Sequence, residues 1–323
     1  LSQPRPNTWL ALFVAATLPT LAAAAWAQPQ PELHPAAPAV RGTITLDQAL
    51  SLAARFNPSL RESTWLVRAA TARVREEAAL PNPSLDGLVE NFGGGLGTNR
   101  TESSLTASQL LELGGKRGAR AAVARGEERL ANAELTSRER EVLGATAEAF
   151  LHAWWLQERV TRLQTAEGID ETTIRAARER TRAGAAPATE ALRATSSQAE
   201  HEVERRQAQA DLAVARRAVA LEWGSAEATF DSLALPAPAV PDLPPAAALM
   251  AELDRHPERM AAAAETMLES EHVREARSQR VPDVTVTGGI RHLAEVNATG
   301  FLAEVSLPLP LFNKHGGLVE AAR

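Results

Sequence analysis

The chain has 323 residues, of which 45% are hydrophobic, 23% charged and 4% aromatic, with no cysteine and no tyrosine. That composition excludes a disordered tail and leaves room for one large domain or two smaller ones. The missing cysteines exclude disulfides, thiolate metal sites, cysteine nucleophiles and lipidated cysteine. With 34 basic against 40 acidic side chains, the formal charge of −6 argues against sequence-independent binding of nucleic acid, which needs a net basic face.

In chain order, Arg5 precedes an apolar run at 9–16, and residues 18–27 end in the small-x-small triplet Ala25-Trp26-Ala27. A charged start, a short apolar stretch and that ending predict a cleavable secretory signal over 1–27. Pro19 inside the run and Gln28-Pro29-Gln30-Pro31 after it disfavour an uncleaved anchor. Residues 28–42 read as a proline-rich linker. No later stretch reaches the roughly 20 apolar residues of a membrane helix, so the exported chain is either soluble or held in a membrane by strands.

An internal repeat organises the remainder of the chain. Asn57-Pro58 recurs as His256-Pro257, Val74-Arg75-Glu76 as Val273-Arg274-Glu275, and Pro83-Ser84-Leu85 as Pro282-Asp283-Val284, all at an offset of 199. The first copy covers 43–229, the second covers 246–323 and is incomplete, and the proline-rich 230–245 joins them. In the first copy Thr45 or Asp47 can cap a helix over 48–56, and a second helix runs from Pro58 to about Ala79, where Pro81 and Pro83 stop it. Its counterpart covers about 257–280.

Each helix pair leads into a strand–turn–strand pattern. The first hairpin, 84–111, has strands at 85–92 and 101–111 around the flexible Gly93-Gly94-Gly95-Leu96-Gly97. In the second hairpin, 283–309, Val284, Val286 and Ile290 alternate with threonines, and Phe301, Ala303, Val305, Leu307 and Leu309 form a second alternating strand. Strands of about 10 residues cross a bilayer when tilted. Each hairpin ends at a turn carrying one of the chain's two lysines, Lys116 and Lys314.

Residues 117–182 contain no proline and predict a rod of roughly 100 Å. Leu135, Val142, Ala149, Leu156 and Leu163 recur at strict sevens, the seam of a coiled coil. Gly184 and Pro187 break the rod, and Thr189 can start a return helix reaching Trp223-Gly224, with Val203, Ala210, Val214 and Leu221 as its apolar stripe. The fold class is therefore mainly α with a small β component: a long coiled-coil helical hairpin plus β-hairpins, internally duplicated.

This order of elements resembles the outer-membrane efflux family of TolC-like channel proteins, nearest its metal-efflux branch. The most specific pieces are Ser108-Gln109-Leu110-Leu111-Glu112-Leu113-Gly114-Gly115-Lys116-Arg117, the tip at 184–194, and Leu307-Pro308-Leu309-Pro310-Leu311-Phe312-Asn313-Lys314. The resemblance implies a homotrimer that pools its strands in an outer-membrane β-barrel and its helices in a periplasmic α-barrel. It also implies a periplasmic adaptor (membrane fusion) protein and an inner-membrane pump of the resistance-nodulation-division type, with small solutes, heavy-metal cations among them, as cargo. Gly184, Ala185, Ala186, Pro187, Thr189, Glu190 and Leu192 fall where the family meets its adaptor, although any Gly/Pro turn between helices needs the same residue types. By analogy with the first copy, on the order of 100 residues would follow Arg323, so the chain reads as a truncated subunit, assembly-deficient without them. A periplasmic adaptor and a soluble coiled-coil scaffold are the competing readings. The doubled helix–hairpin unit and the membrane-length strands disfavour the adaptor, and carbonate-resistant membrane fractionation separates the scaffold from the channel.

Catalytic chemistry finds no foothold. The seven histidines show no HExxH and no paired metal-ligand spacing; His201 with Glu204, or His292 with Glu295, is better read as part of a solvated face. Neither glycine-rich stretch carries the Lys-Ser/Thr of a phosphate loop, and Trp154-Trp155 reads as packing against a neighbouring helix. No enzyme, cofactor or metal site is expected.

Overall fold

The computed structural model describes residues 38–91, 100–236 and 243–323. The signal segment 1–27, most of the 28–42 linker, the 93–97 glycine loop and the centre of the 230–245 linker lie outside the described residues. β1 (Thr43–Thr45) runs directly into α1 (Leu46–Phe56). Of the two candidate caps, Thr45 is the one used: its hydroxyl accepts the Gln48 backbone N–H at 3.3 Å, and the Gln48 side chain accepts the Thr45 N–H at 3.0 Å. Asp47 sits in the first turn, where a carboxylate favours the helix dipole. Buried Asn57 forms the corner to α2 (Pro58–Glu77), accepting the N–H groups of Ser59 and Leu60 while its amide donates to the Glu222 carbonyl at 2.8 Å.

β2 (Ser84–Glu90) and β3 (Glu102–Leu111) form the first hairpin, and α3 (Lys116–Arg182) follows as one unbroken helix of 67 residues, about 100 Å long. α4 (Ala188–Leu221) returns along it. Pro187, not Thr189, stands at the N-cap of α4, because an extended proline needs no N–H there. The seam on α3 is real: Val142 and Leu156 are buried, and Leu135, Ala149 and Leu163 are half-buried. The stripe expected on α4 is not the packed one. Val203, Val214 and Leu221 are 67%, 67% and 59% exposed, whereas Ala208, Leu212, Ala215 and Val219 are buried. At about 100° per residue the two sets lie on nearly opposite sides of the helix.

β4 (Ser232–Ala234) lies inside the segment read as a linker and pairs in parallel with β1, Ile44 opposite Leu233. The amide of Gln157 takes both backbone groups of Leu233, donating to its carbonyl and accepting its N–H, each at 2.9 Å. The main core gathers here, with Ile44, Phe150, Leu156, Leu212, Val219, Trp223 and Phe230 buried between α1, α3, α4 and the two short strands. Trp154 packs against this core, but Trp155 is 51% exposed and lies beside His152 and Arg159, so only half of the tryptophan pair follows the packing expectation.

The second copy begins with α5 (Ala246–Leu253) and α6 (Pro257–Ser278), then β5 (Val284–Leu293), β6 (Ala298–Ser306) and α7 (Gly316–Ala321). α2 and α6 both pack along α3, and Gly126 permits the α6 approach: a Cβ there would meet Leu268 Cδ1 at 2.9 Å. The two hairpins merge into one antiparallel sheet of order β2-β3-β5-β6. β6 stops at Ser306, short of the expected Leu309, because β5 begins at Val284 and offers no residue to pair with those after Leu307.

Candidate functional site

Alternation along the four strands sorts their side chains onto two faces. One face carries Leu85, Val89, Leu105, Ala107, Val286, Ile290, Phe301, Ala303 and Val305, with Ser103, Gln109, His292 and Thr299 as its polar members, and the register aligns them in rows: Gly87, Leu105, Ile290 and Phe301 stand side by side. These apolar groups face outward uncovered, Phe301 at 97% exposure and Val305 at 69%. The opposite face carries Ser84, Asp86, Glu90, Glu102, Ser104, Thr106, Ser108, Thr285, Thr287, Arg291 and Glu304, interspersed with Leu88, Leu110, Leu293 and Leu302. Its only basic residue among the described residues, Arg291, lies 3.8 Å from Glu102, so the face is net acidic. A sheet with one predominantly apolar, uncovered face and one predominantly polar, acidic face fits a boundary between hydrocarbon and water. Both outer edges, β2 and β6, have no strand beside them among the described residues.

Where the sheet meets the helices, a junction ties the two copies together. Gly114 and Gly115 adopt left-handed backbone (φ +69° and +75°), and a Cβ at Gly114 would lie 2.6 Å from Val281 Cβ. That turn delivers Lys116, only 7% exposed, to Asp283 at 2.8 Å; the other carboxylate oxygen of Asp283 accepts the Leu113 N–H at 3.1 Å. Beside it Arg120 bridges Glu112 and Glu77, and the Glu112 hydrogen bond raises its pKa further. The sequence motif contains Lys116 but does not name its partner; the signal that points there is the repeat alignment, in which Asp283 replaces Ser84.

At the other end of the rod, α3 closes in a Schellman turn. Ala185 N–H donates to Arg180 O at 2.9 Å and Gly184 N–H to Thr181 O at 3.0 Å, with Gly184 at φ +70°. Arg180 and Glu190 clamp the turn at 2.6 Å. Ala185, Pro187, Thr189 and Leu192 are exposed, Leu192 at 67%, and Ala186 and Glu190 are partly covered. The structure therefore places Gly184, Ala185, Ala186 and Pro187 in the turn between α3 and α4, and Thr189, Glu190 and Leu192 at the start of α4. Below it, cross-helix pairs hold the hairpin: His201 Nδ1 to Asp170 at 2.6 Å, and Arg205 to Glu167 at 2.7 Å. The Asp170 hydrogen bond raises the His201 pKa. His292 bonds Thr299 at 3.0 Å. Among the described residues no group of three or more His, Asp or Glu is placed to hold a metal ion, and no helix is long and apolar enough to cross a membrane.

Residues 49–225 match the model of the family described as outer membrane efflux protein. The chain is 31% identical over 283 residues to the cobalt-zinc-cadmium resistance protein CzcC of Cupriavidus metallidurans, covering 87% of this chain and 66% of that protein. It is 28% identical to the nickel and cobalt resistance protein CnrC of the same species, covering 86% of this chain and 65% of the relative. The chain thus spans just under two thirds of the length of these relatives. In fold it is similar to the solved structure of CusC, with a TM-score of 0.69 at 18% identity, covering 92% of this chain and 74% of that one. It is also similar to the outer membrane protein VceC of Vibrio cholerae, with a TM-score of 0.65 at 18% identity, covering 86% and 71% of the two chains. With more than half its length matched by the family model, the chain belongs to the outer membrane efflux protein family.

Proposed function

We propose that this chain is a channel subunit of the outer membrane, a passive exit duct in a tripartite efflux system. The observation that carries the proposal is the sheet with one predominantly apolar uncovered face, one net acidic face and, among the described residues, two open edges. In hydrocarbon every backbone donor and acceptor must be paired, so such a sheet spans a membrane only when closed, and four strands are too few to close alone. Closure by a homotrimer meets that requirement, with lipid outside and water within. The acidic inner face suits cationic cargo, and the metal-resistance names of CzcC and CnrC support heavy-metal cations as that cargo.

The rod then projects into the periplasm, and its tip, Gly184 to Leu192, is the surface offered to a periplasmic adaptor coupled to an inner-membrane pump of the resistance-nodulation-division type. The family is one of transport channels, and the protein's work is selection by size and charge rather than catalysis. Washing membranes with carbonate tests the reading: a closed barrel stays in the outer-membrane fraction, while an adaptor or a soluble coiled-coil scaffold is released. Deleting the gene should sensitise cells to cobalt, zinc or cadmium; release by carbonate together with unchanged sensitivity would overturn the proposal.

A further inference from the structure

We infer that a groove between the start of α3 and the end of α6 binds the phosphate of a glycerophospholipid in the membrane leaflet that faces the periplasm. The inference rests on the barrel reading and adds to it a lipid site, its height and the residues that hold the headgroup.

The strands and the helix repeat fix the side on which the groove lies. Leu110 and Thr285, opposite one another on the acidic face of the sheet, line a cavity together with Lys116 and Asp283. The Lys116 side of α3 is therefore the side of the acidic face. Arg125 follows Lys116 by nine residues, and at about 100° per residue it points the opposite way, to the side of the apolar face. Gly118 and Ala122 lie within about 60° of Arg125 on the same helix. With Gly115, these small residues line a groove of about 530 Å³ that Arg125, Arg274 and Arg277 border.

The two sides differ in how their basic groups are matched. On the acidic side Lys116 is paired with Asp283, and Arg120 with Glu112 and Glu77. In the groove Arg274 lies 2.8 Å from Glu271, but Arg125 and Arg277 have no ion pair or side-chain hydrogen bond among the described residues. In a chain of net charge −6, this groove thus carries a local positive excess suited to an anion from outside the protein. The planar fork of arginine matches the oxygens of a phosphate.

The adjoining surface identifies the anion as a lipid's. Val281 lines the groove and stands three residues before Val284, which pairs with Leu111 at the foot of the apolar face. Leu111, Leu113 and Val281 are all exposed, so apolar surface continues from the sheet down to the arginines. A headgroup layer of about 5–8 Å borders the hydrocarbon at that level. α3 begins at the sheet, and helix side chains lean toward the N-terminus, so Arg125 reaches back up toward this layer. A phospholipid there sets its acyl chains beside Leu111 and Val281 and its phosphate on the arginines. A free anion would use the arginines alone.

Native mass spectrometry of the detergent-solubilised protein, expressed from the natural locus at its natural length, reads the binding, with dioleoylphosphatidylglycerol as the probe. Arg125→Gln/Arg277→Gln should weaken binding on the order of 30-fold, about fivefold for each arginine. Arg125→Lys/Arg277→Lys keeps the charge and should recover most of that loss. Arg175→Gln/Arg217→Gln removes the same charge from exposed positions farther along the rod and should change binding by less than about twofold. Gly118→Leu occupies the groove and leaves every arginine in place; a Cβ at Gly118 meets nothing within 4 Å, so the helix accepts it. It should weaken binding as much as the loss of one arginine. In a protein that resists carbonate, full binding by the double glutamine variant or by Gly118→Leu overturns the lipid site and leaves the channel reading standing. An equal loss in the distant pair, absence of binding by the natural protein, or displacement of the lipid by equimolar inorganic phosphate does the same. A carbonate-released protein that binds no lipid overturns both.

Discussion

The Lys116–Asp283 pair tests whether one buried ion pair holds the two copies in register. Asp283→Ala removes the carboxylate that pairs with an ammonium whose side chain is 7% exposed, and also the acceptor for Leu113 N–H. Leaving such a charge uncompensated costs about 3–5 kcal/mol. Lys116→Met should cost less, because Asp283 is 24% exposed and still accepts from Leu113. The double variant should recover part of the Asp283→Ala loss, since it no longer buries an unpaired charge. Chemical denaturation of the purified, detergent-solubilised protein, followed by far-ultraviolet circular dichroism for all four proteins, gives the coupling energy. A coupling of about 0.5–3 kcal/mol is expected, the range for residues in contact within one salt-bridge network. If the double variant were simply as unstable as the sum of the singles, the pair would carry no linkage and the reasoning from burial would fail.

Two further outcomes rest on neighbouring geometry. Burial pushes the Glu222 carboxyl above its ordinary range, only partly countered by a hydrogen bond with Thr146. The folded state therefore holds the proton more tightly than the unfolded chain, so stability is lost as pH rises from the unfolded carboxyl range through the folded one. Glu222→Gln should flatten that decline in a pH series of thermal melts; an unchanged slope would contradict it. Gly289 lies so close to β3 that a Cβ would meet Thr106 Cα at 2.8 Å as well as the Leu105 carbonyl. Gly289→Val should cost about 1–3 kcal/mol and open the β3–β5 joint, seen as faster amide exchange at 102–111, whereas Gly300→Val, with open space around it, should not.

Much of the candidate site was legible because its signals are local. The absence of proline between Arg117 and Arg182, the Gly184 and Pro187 break, and the alternation at 284–290 each report a backbone periodicity that survives in any context. They located the rod, the tip and the second hairpin to within a residue or two of α3, the Schellman turn and β5. The repeat offset was legible for the same reason, since duplication writes itself along the chain. What periodicity does not say is which neighbour covers a face. The Val203–Val214–Leu221 stripe has the spacing of a seam, yet α3 covers the alanine-rich side of α4, because small residues let two long helices approach closely. Only tertiary structure joined β1 to β4 across 189 residues, set Lys116 on Asp283 and ended β6 at Ser306. The first two depend on partners distant in sequence, fixed when the whole chain packs, and the third on where the neighbouring strand β5 begins.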